Sequence, residues 1–174
     1  MESDVIALLI SAISLVLAGV SLGWQIAQWL LSAGRPKASL MHGVSEGSGA
    51  IVGPVTKAKP SLRTSRLREQ GMNGEEIIGI QITNHGRSPV SVEKVALCPR
   101  GGHTRLIPVE QLMGPELPYR LEAGTNASWY LAFDIASVLI RASRHALGEP
   151  VKGVYMRAML GTGKEIQTPE TLRI

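Results

Sequence analysis

The hydrophobic pattern of the chain is dominated by one N-terminal run, Val5 to Trp24, which has twenty positions and no charged residue. A helix of twenty residues is about 30 Å long, which matches the hydrocarbon core of a bilayer. The run therefore predicts one membrane-spanning helix. We expect this helix to continue through the interface to about Ser32, because Gly34 and Pro36 then favour its termination.

The flanks of this run favour an uncleaved anchor over a secretory signal peptide. A signal peptide begins with a positively charged region and has an apolar stretch of about 7–15 residues. Here the acidic Glu2 and Asp4 precede a longer run, and Trp24 and Trp29 occupy the region where cleavage would be expected.

The basic residues that follow the run predict its orientation. Arg35 and Lys37 come next in the chain, and Lys and Arg close to a span stay preferentially in the cytoplasm. We therefore expect a single-pass protein of a bacterial inner membrane with a cytoplasmic C-terminal domain. Anionic lipid headgroups are the expected contacts of its interfacial and basic side chains. This set consists of Trp24, Trp29, Arg35, Lys37, Lys57, Lys59, Arg63, Arg66 and Arg68.

Small residues share one face of the predicted helix, at Ala12, Gly19, Gly23 and Ala27. Gly19 and Gly23 form a GxxxG pair, which allows two helix backbones to approach closely. The pattern favours pairing with a second membrane helix, either in another protein or in a second copy of this chain.

The rest of the chain divides by composition into two parts after the anchor segment 1–34. Residues 35–75 contain a first strand at 37–44 and then a long, mobile, basic loop that holds one short strand at 50–55. Residues 76–174 form the main body of the domain, which the first strand joins. Its predicted strands lie at 76–83, 90–98, 105–109, 128–133, 151–160 and 164–168, and residues 117–121 lead into a predicted turn at 122–125.

One helix interrupts these strands, from the predicted N-cap Asp134 to about Leu147. Its predicted buried face carries Ile135, Val138, Leu139, Ala142 and Ala146. Short strands separated by turns, with a single inserted helix, predict a mainly β domain built as an antiparallel sandwich.

Two runs, IQITNHGRSPVSVEKVAL and LPYRLEAGTNASWYL, carry a resemblance to a known class of domain. Their landmarks are a strand that ends in Asn, a Gly turn, a Pro-Val strand start and a Leu-x-x-Gly turn. The chain resembles actinobacterial-type membrane proteins with one span and a small immunoglobulin-like β-sandwich, most of which have no assigned function. The resemblance implies a fold and no chemistry. Its landmarks are Asn84, Gly86, Pro89, Val90, Leu121 and Gly124.

The sequence predicts no enzyme, no cofactor and no metal site. The four histidines lack metal-ligand spacing and are expected in turns or on the surface. Cys98 is the only cysteine and ends an alternating strand, where a small buried residue is common. The net charge of +4 does not indicate nucleic-acid binding, because basic residues are not interleaved with stacking aromatic residues.

Three functions remain open at this point, with a hydrolase as a distant fourth that would require His, Cys98 or carboxylate side chains to converge in one pocket. The first is a non-enzymatic interaction module that binds a protein partner at the cytoplasmic face of the membrane through a sheet edge or loops. Its candidate partner-binding turn consists of Asn84, His85, Gly86 and Arg87. The second is an accessory subunit that binds a membrane complex through its helix. The third is an extracytoplasmic domain that binds envelope polymers or a ligand.

Overall fold

The N-terminal run forms a single long helix, as predicted. The computed structural model describes residues 2–108 and 112–173, and helix α1 spans Glu2–Ser32. Its Ser3–Trp29 stretch is long and apolar enough to cross a membrane, and its most apolar window is not buried against the rest of the chain. The helix ends two residues before Gly34, close to the predicted position.

The remaining described residues form eight strands and two short helices. The strands are β1 (Pro36–Glu46), β2 (Gly49–Pro54), β3 (Glu75–Asn84), β4 (Val90–Pro99), β5 (Tyr119–Leu121), β6 (Asn126–Ala132), β7 (Val154–Leu160) and β8 (Glu165–Gln167). The helices are α2 (Thr64–Glu69) and α3 (Phe133–His145).

The strands form two antiparallel sheets, which confirms the predicted mainly β class. Sheet A has the order β2-β1-β3-β6, and sheet B has the order β5-β4-β7-β8. Leu40, Ile80 and Trp129 lie side by side across sheet A and are fully buried. This arrangement is compatible with the immunoglobulin-like domain that the resemblance implies.

A β-bulge explains the uneven apolar spacing of β4. The pairing of β4 with β7 shifts between Val92 and Lys94. One extra residue in a strand reverses the alternation beyond it, so Val92 and Val95 both enter the core although three positions separate them.

The chain turns a corner between β3 and β4. The sequence predicted either a hairpin or a strand–corner–strand for these two runs. The structure has the corner, because β3 belongs to sheet A and β4 to sheet B.

The prediction for α3 was wrong in its start and in most of its buried face, of which only Leu139 is confirmed. The helix begins at Phe133, directly after β6, and Asp134 lies in its first turn instead of at its N-cap. Its buried residues are Ala136, Leu139, Ile140 and Ser143. Because no linker separates strand and helix, the end of β6 sets the rotation of α3, and this turns Val138 outward.

Two further predictions need correction. The basic segment 45–75 is more structured than a loop with one strand, since it also contains α2, and Val55 lies in the core. The strand predicted at 105–109 is reduced in the described residues to a single bridge between Leu97 and Leu106. Val109 lies outside the described residues.

Candidate functional site

The junction between α1 and the sandwich is the most densely connected polar feature near the apolar helix. Only three residues, 33–35, separate the end of α1 from the start of β1. Ser88 Oγ donates a hydrogen bond to the carbonyl oxygen of Ser32, and His85 N donates to Arg35 O over 3.0 Å. The helix exit is therefore held against the corner between β3 and β4.

Asn84 organises this junction from a fully buried position at the end of β3. Its Oδ1 accepts hydrogen bonds from Arg35 N at 3.1 Å and from Gly86 N at 3.0 Å. Its Nδ2 donates to Ser88 O at 2.8 Å, and the Leu121 and Glu122 carbonyl oxygens lie at 3.4 Å. The side-chain amide of Asn accepts hydrogen bonds at one atom and donates them from another without carrying a charge, as this position requires.

Gly86 allows the helix exit to approach this corner. A Cβ atom at Gly86 would collide with Ala33 O, Arg35 N and Gly34 Cα. The four residues of the predicted partner-binding turn therefore do not share one environment. Asn84 and Gly86 are buried in contact with the chain itself, whereas His85 and Arg87 are exposed.

The corner and a distant turn bring further cations to the helix exit. Arg35, Lys37 and Arg87 are exposed around it, and Lys164, which follows the β7–β8 turn, lines a cleft with Arg35. The contribution of Lys164 could not be found from the sequence, because it depends on how the two sheets pack.

The five cations of the basic segment lie elsewhere on the domain. Pro54, which lies three residues before Lys57, pairs with Met41 of β1. Met41 is about 17 Å from Pro36 along this strand, at 3.3–3.4 Å per residue. Arg68 forms an ion pair with Glu76 at 3.8 Å, and Glu76 pairs with Val44, about 26 Å along the same strand. The predicted headgroup set therefore separates into a group at the helix exit and a group displaced along β1. The displaced group consists of Lys57, Lys59, Arg63, Arg66 and Arg68.

His42 is a buried histidine, which corrects the expectation of turn and surface positions. Its Nδ1 accepts a hydrogen bond from Leu62 N at 3.1 Å, so its Nε2 carries the proton that is donated to Glu76 Oε1 at 2.8 Å. His42 is 2 % exposed, and its ring packs edge-to-face with that of Phe133, with the ring centroids 5.6 Å apart. His42 therefore attaches the basic segment to the sheet. Sequence spacing contained no signal for this role.

Cys98 lies on the outer side of sheet B and is buried, as predicted. Burial raises the pKa of its thiol, and this effect exceeds the opposing influence of the Arg157 and Arg105 charges. A thiol in this state is a poor nucleophile. Within the described residues, no cluster of three or more His, Cys, Asp or Glu side chains could hold a metal ion.

The predicted small-residue face of α1 is open. No heavy atom outside the helix lies within 4 Å of a Cβ placed on Gly19 or Gly23. Ala12 is exposed and Ala27 is half-exposed. The structure brings neither Gly19 nor Gly23 into contact with the sandwich.

Comparison with protein-family models, with curated proteins and with solved structures finds no match to this chain.

Proposed function

We propose that this protein is a non-enzymatic, membrane-anchored interaction module whose sandwich binds a protein partner at the cytoplasmic face of a bacterial inner membrane. The observation that carries the proposal is the junction: an exposed apolar helix of membrane-spanning length is hydrogen-bonded directly to the domain. Such a junction holds the sandwich at the membrane surface in a restricted orientation. The cations around the helix exit favour the cytoplasmic side.

The junction also supports an uncleaved anchor over a signal peptide. The corner residues Ser88, Asn84 and His85 use the backbone of residues 32–35 as hydrogen-bond partners. Cleavage after the helix would remove or release groups that the folded domain binds. We infer that helix and sandwich function as one chain.

Strand β2 is the edge best suited to bind a partner. It has six residues and pairs only with β1, and its Ile51 side chain is 46 % exposed. The other sheet edges are less suited to bind an extended segment. Strands β5 and β8 have only three residues each, and the outer side of β6 is already paired with Met113 through Tyr130. An exposed strand edge is a template for the backbone of an extended partner segment.

The register of β2 identifies its outward backbone groups. Val55 N donates to Leu40 O at 2.8 Å, so Val55 belongs to a hydrogen-bonded pair with Leu40. Hydrogen bonds in an antiparallel ladder alternate, so the N–H and C=O groups of Ala50 and Val52 point away from β1. These are the groups that a partner strand would bind.

The first test is the topology of the full chain in a bacterial membrane. A reporter active only in the cytoplasm and a reporter active only in the periplasm are fused separately after Ile174. We expect activity from the cytoplasmic reporter alone. Periplasmic activity would contradict the proposed side and favour the extracytoplasmic function.

The second test places a photoactivatable side chain at Ile51 of the full chain in its membrane. We expect a discrete cross-linked protein from Ile51 and none from Val138, an equally exposed position on α3. Val52→Pro removes one outward N–H and should abolish the product, whereas Val52→Ala keeps that N–H and should preserve it. Equal products with both variants would exclude strand pairing at this edge.

A second candidate function is an accessory subunit that binds through α1. The open face around Gly19 and Gly23 favours it. The same cross-linking experiment separates the two functions: products from position 12 or 27, with none from Ile51, would favour the helix as the binding element.

A further inference from the structure

An open cleft of about 700 Å³ lies beside the helix exit. One wall is formed by residues 33–36, and the opposite side by the start of β4 together with the β7–β8 turn. Neither wall belongs to the β2 edge, so the cleft is separate from the proposed partner-binding strand.

The lining of the cleft combines two unpaired cations with one carboxylate. Within the described residues, the side chains of Arg35 and Lys164 form no ion pair and no hydrogen bond. Glu93 is half-buried and accepts a hydrogen bond from Ser91 Oγ at 2.9 Å. The formal charge of these three groups is therefore +1. Glu93 can accept a hydrogen bond from a ligand, and Arg35 and Lys164 can each donate one.

Apolar residues complete the cleft. Val90, Leu160 and Ile166 contribute to its lining, next to the polar groups. A ligand that suits this lining carries an anionic centre, a hydrogen-bond donor and an apolar portion. A free inorganic anion has only the first of these features.

The position of the cleft along the helix matches the headgroup layer of a bilayer. The headgroup regions together add about 10–15 Å to the hydrocarbon core, which is about 5–8 Å on each side. Trp24 and Trp29 are five residues apart, or about 7.5 Å along the axis, and Trp residues favour this layer. Helix α1 has 31 residues and is therefore about 46 Å long, against about 40–45 Å for a bilayer with its headgroups, so residues 33–35 lie at the outer boundary of the headgroup layer.

We propose that this cleft binds the headgroup of one glycerophospholipid whose headgroup bears an O–H or N–H donor. The phosphodiester lies between the Arg35 guanidinium and the Lys164 ammonium group. The hydroxyl or ammonium group of the same headgroup donates to the free lone pairs of Glu93. The apolar wall contacts the glycerol and the first methylene groups. This inference rests on the proposed membrane anchoring, but it does not depend on which side the domain occupies.

The chemistry predicts an order of lipid preference. Phosphatidylglycerol supplies a net negative charge and two hydroxyl donors, so it complements the +1 site best. Phosphatidylethanolamine supplies the phosphate and an N–H donor. Phosphatidylcholine has neither an O–H nor an N–H donor for Glu93, so we expect it to bind least.

The test is native mass spectrometry of the purified full chain in detergent, with each of these three lipids added separately. Arg35→Gln combined with Lys164→Gln should reduce retention of phosphatidylglycerol by at least about tenfold, because both charged donors to the phosphodiester are removed. The matched control is Lys37→Gln combined with Arg87→Gln. It removes the same charge near the same end, outside the cleft, and should leave retention within about twofold. Glu93→Gln should reduce the preference over phosphatidylcholine.

Three results would overturn the proposal. Equal losses in the cleft pair and in the control pair would indicate general electrostatic attraction without a site. Equal retention of all three lipids would exclude the donor requirement of Glu93. Displacement of lipid by millimolar inorganic phosphate would identify a free anion as the ligand. Each of these results leaves the topology and cross-linking tests unaffected, so failure of this site is distinguishable from failure of the anchoring proposal.

Discussion

Replacing Asn84 by Asp is expected to destabilise the sandwich by about 3 kcal/mol at neutral pH. The carboxyl group introduced by Asn84→Asp could still accept hydrogen bonds from Arg35 N and Gly86 N. However, it would lose the Nδ2 donor and place a negatively charged oxygen against the Ser88 carbonyl oxygen, which lies 2.8 Å from Nδ2. The Leu121 and Glu122 carbonyl oxygens at 3.4 Å add to this repulsion.

The rate at which a thiol reagent labels Cys98 in the full chain measures this effect. Cys98 is the only cysteine, it is buried, and burial raises the pKa of its thiol, so the folded domain protects it from labelling. A loss of 3 kcal/mol corresponds to labelling faster by about a hundredfold. The matched control is Asn126→Asp, at an exposed Asn on the first position of β6, which should leave the rate unchanged.

The pH dependence of the stability of Asn84→Asp distinguishes the cost of a buried charge from the cost of losing the amide group. Burial disfavours the ionised form, so the pKa of the introduced carboxyl is raised in the folded state. The free-energy cost of burying the charge is therefore absent below the pKa that this carboxyl has in the unfolded chain, and it grows as the pH rises above that value. We expect Asn84→Asp to regain stability relative to the parent chain on acidification, whereas Asn84→Ala should show no such recovery. A loss independent of pH in both variants would contradict the proposed role of the amide.

Replacing Gly86 by Val is expected to detach the helix exit from the corner. A Cβ atom there meets backbone atoms of residues 33, 34 and 35, which cannot move aside as a flexible side chain can. The hydrogen bonds of Asn84 to Arg35 and of His85 to Arg35 should then break, and the backbone of residues 33–35 should become free to enter a protease active site. A cost of about 2 kcal/mol would increase the open population by about thirtyfold.

Limited elastase digestion of washed membranes measures this opening, because elastase accepts small residues such as Ala33. We expect Gly86→Val to release the sandwich from the membrane at least tenfold faster than the parent chain does. Gly49→Ala is the control, since its new Cβ would meet only one atom, at 4.0 Å. Release at the parent rate would show that the helix exit is not held by the corner. Cys98 labelling of the same sample distinguishes local detachment from unfolding of the domain.

Local patterns were sufficient to predict the apolar helix and the main strands of this protein. The uncharged run Val5–Trp24 predicts a helix of membrane-spanning length because length and polarity alone decide that property. The alternating runs within β3, β4 and β6 predict strands because side chains in a strand point to opposite faces with a period of two. The turn signal around Gly86 and the turn before β8 follow from residue types that favour turns.

Tertiary structure decided which elements meet, and with that the candidate sites. The exchange of sheets between β3 and β4, the β-bulge after Val92 and the rotation of α3 depend on packing between sheets and cannot be read from periodicity. Asn84 reads in the sequence as an ordinary turn residue, yet its buried position makes it the polar centre of the junction. Lys164 lies 129 residues from Arg35 in the chain, and only the packing of the two sheets places both beside one cleft. Local sequence determines conformation through short-range interactions, whereas a site assembled from distant residues exists only once the sheets have packed.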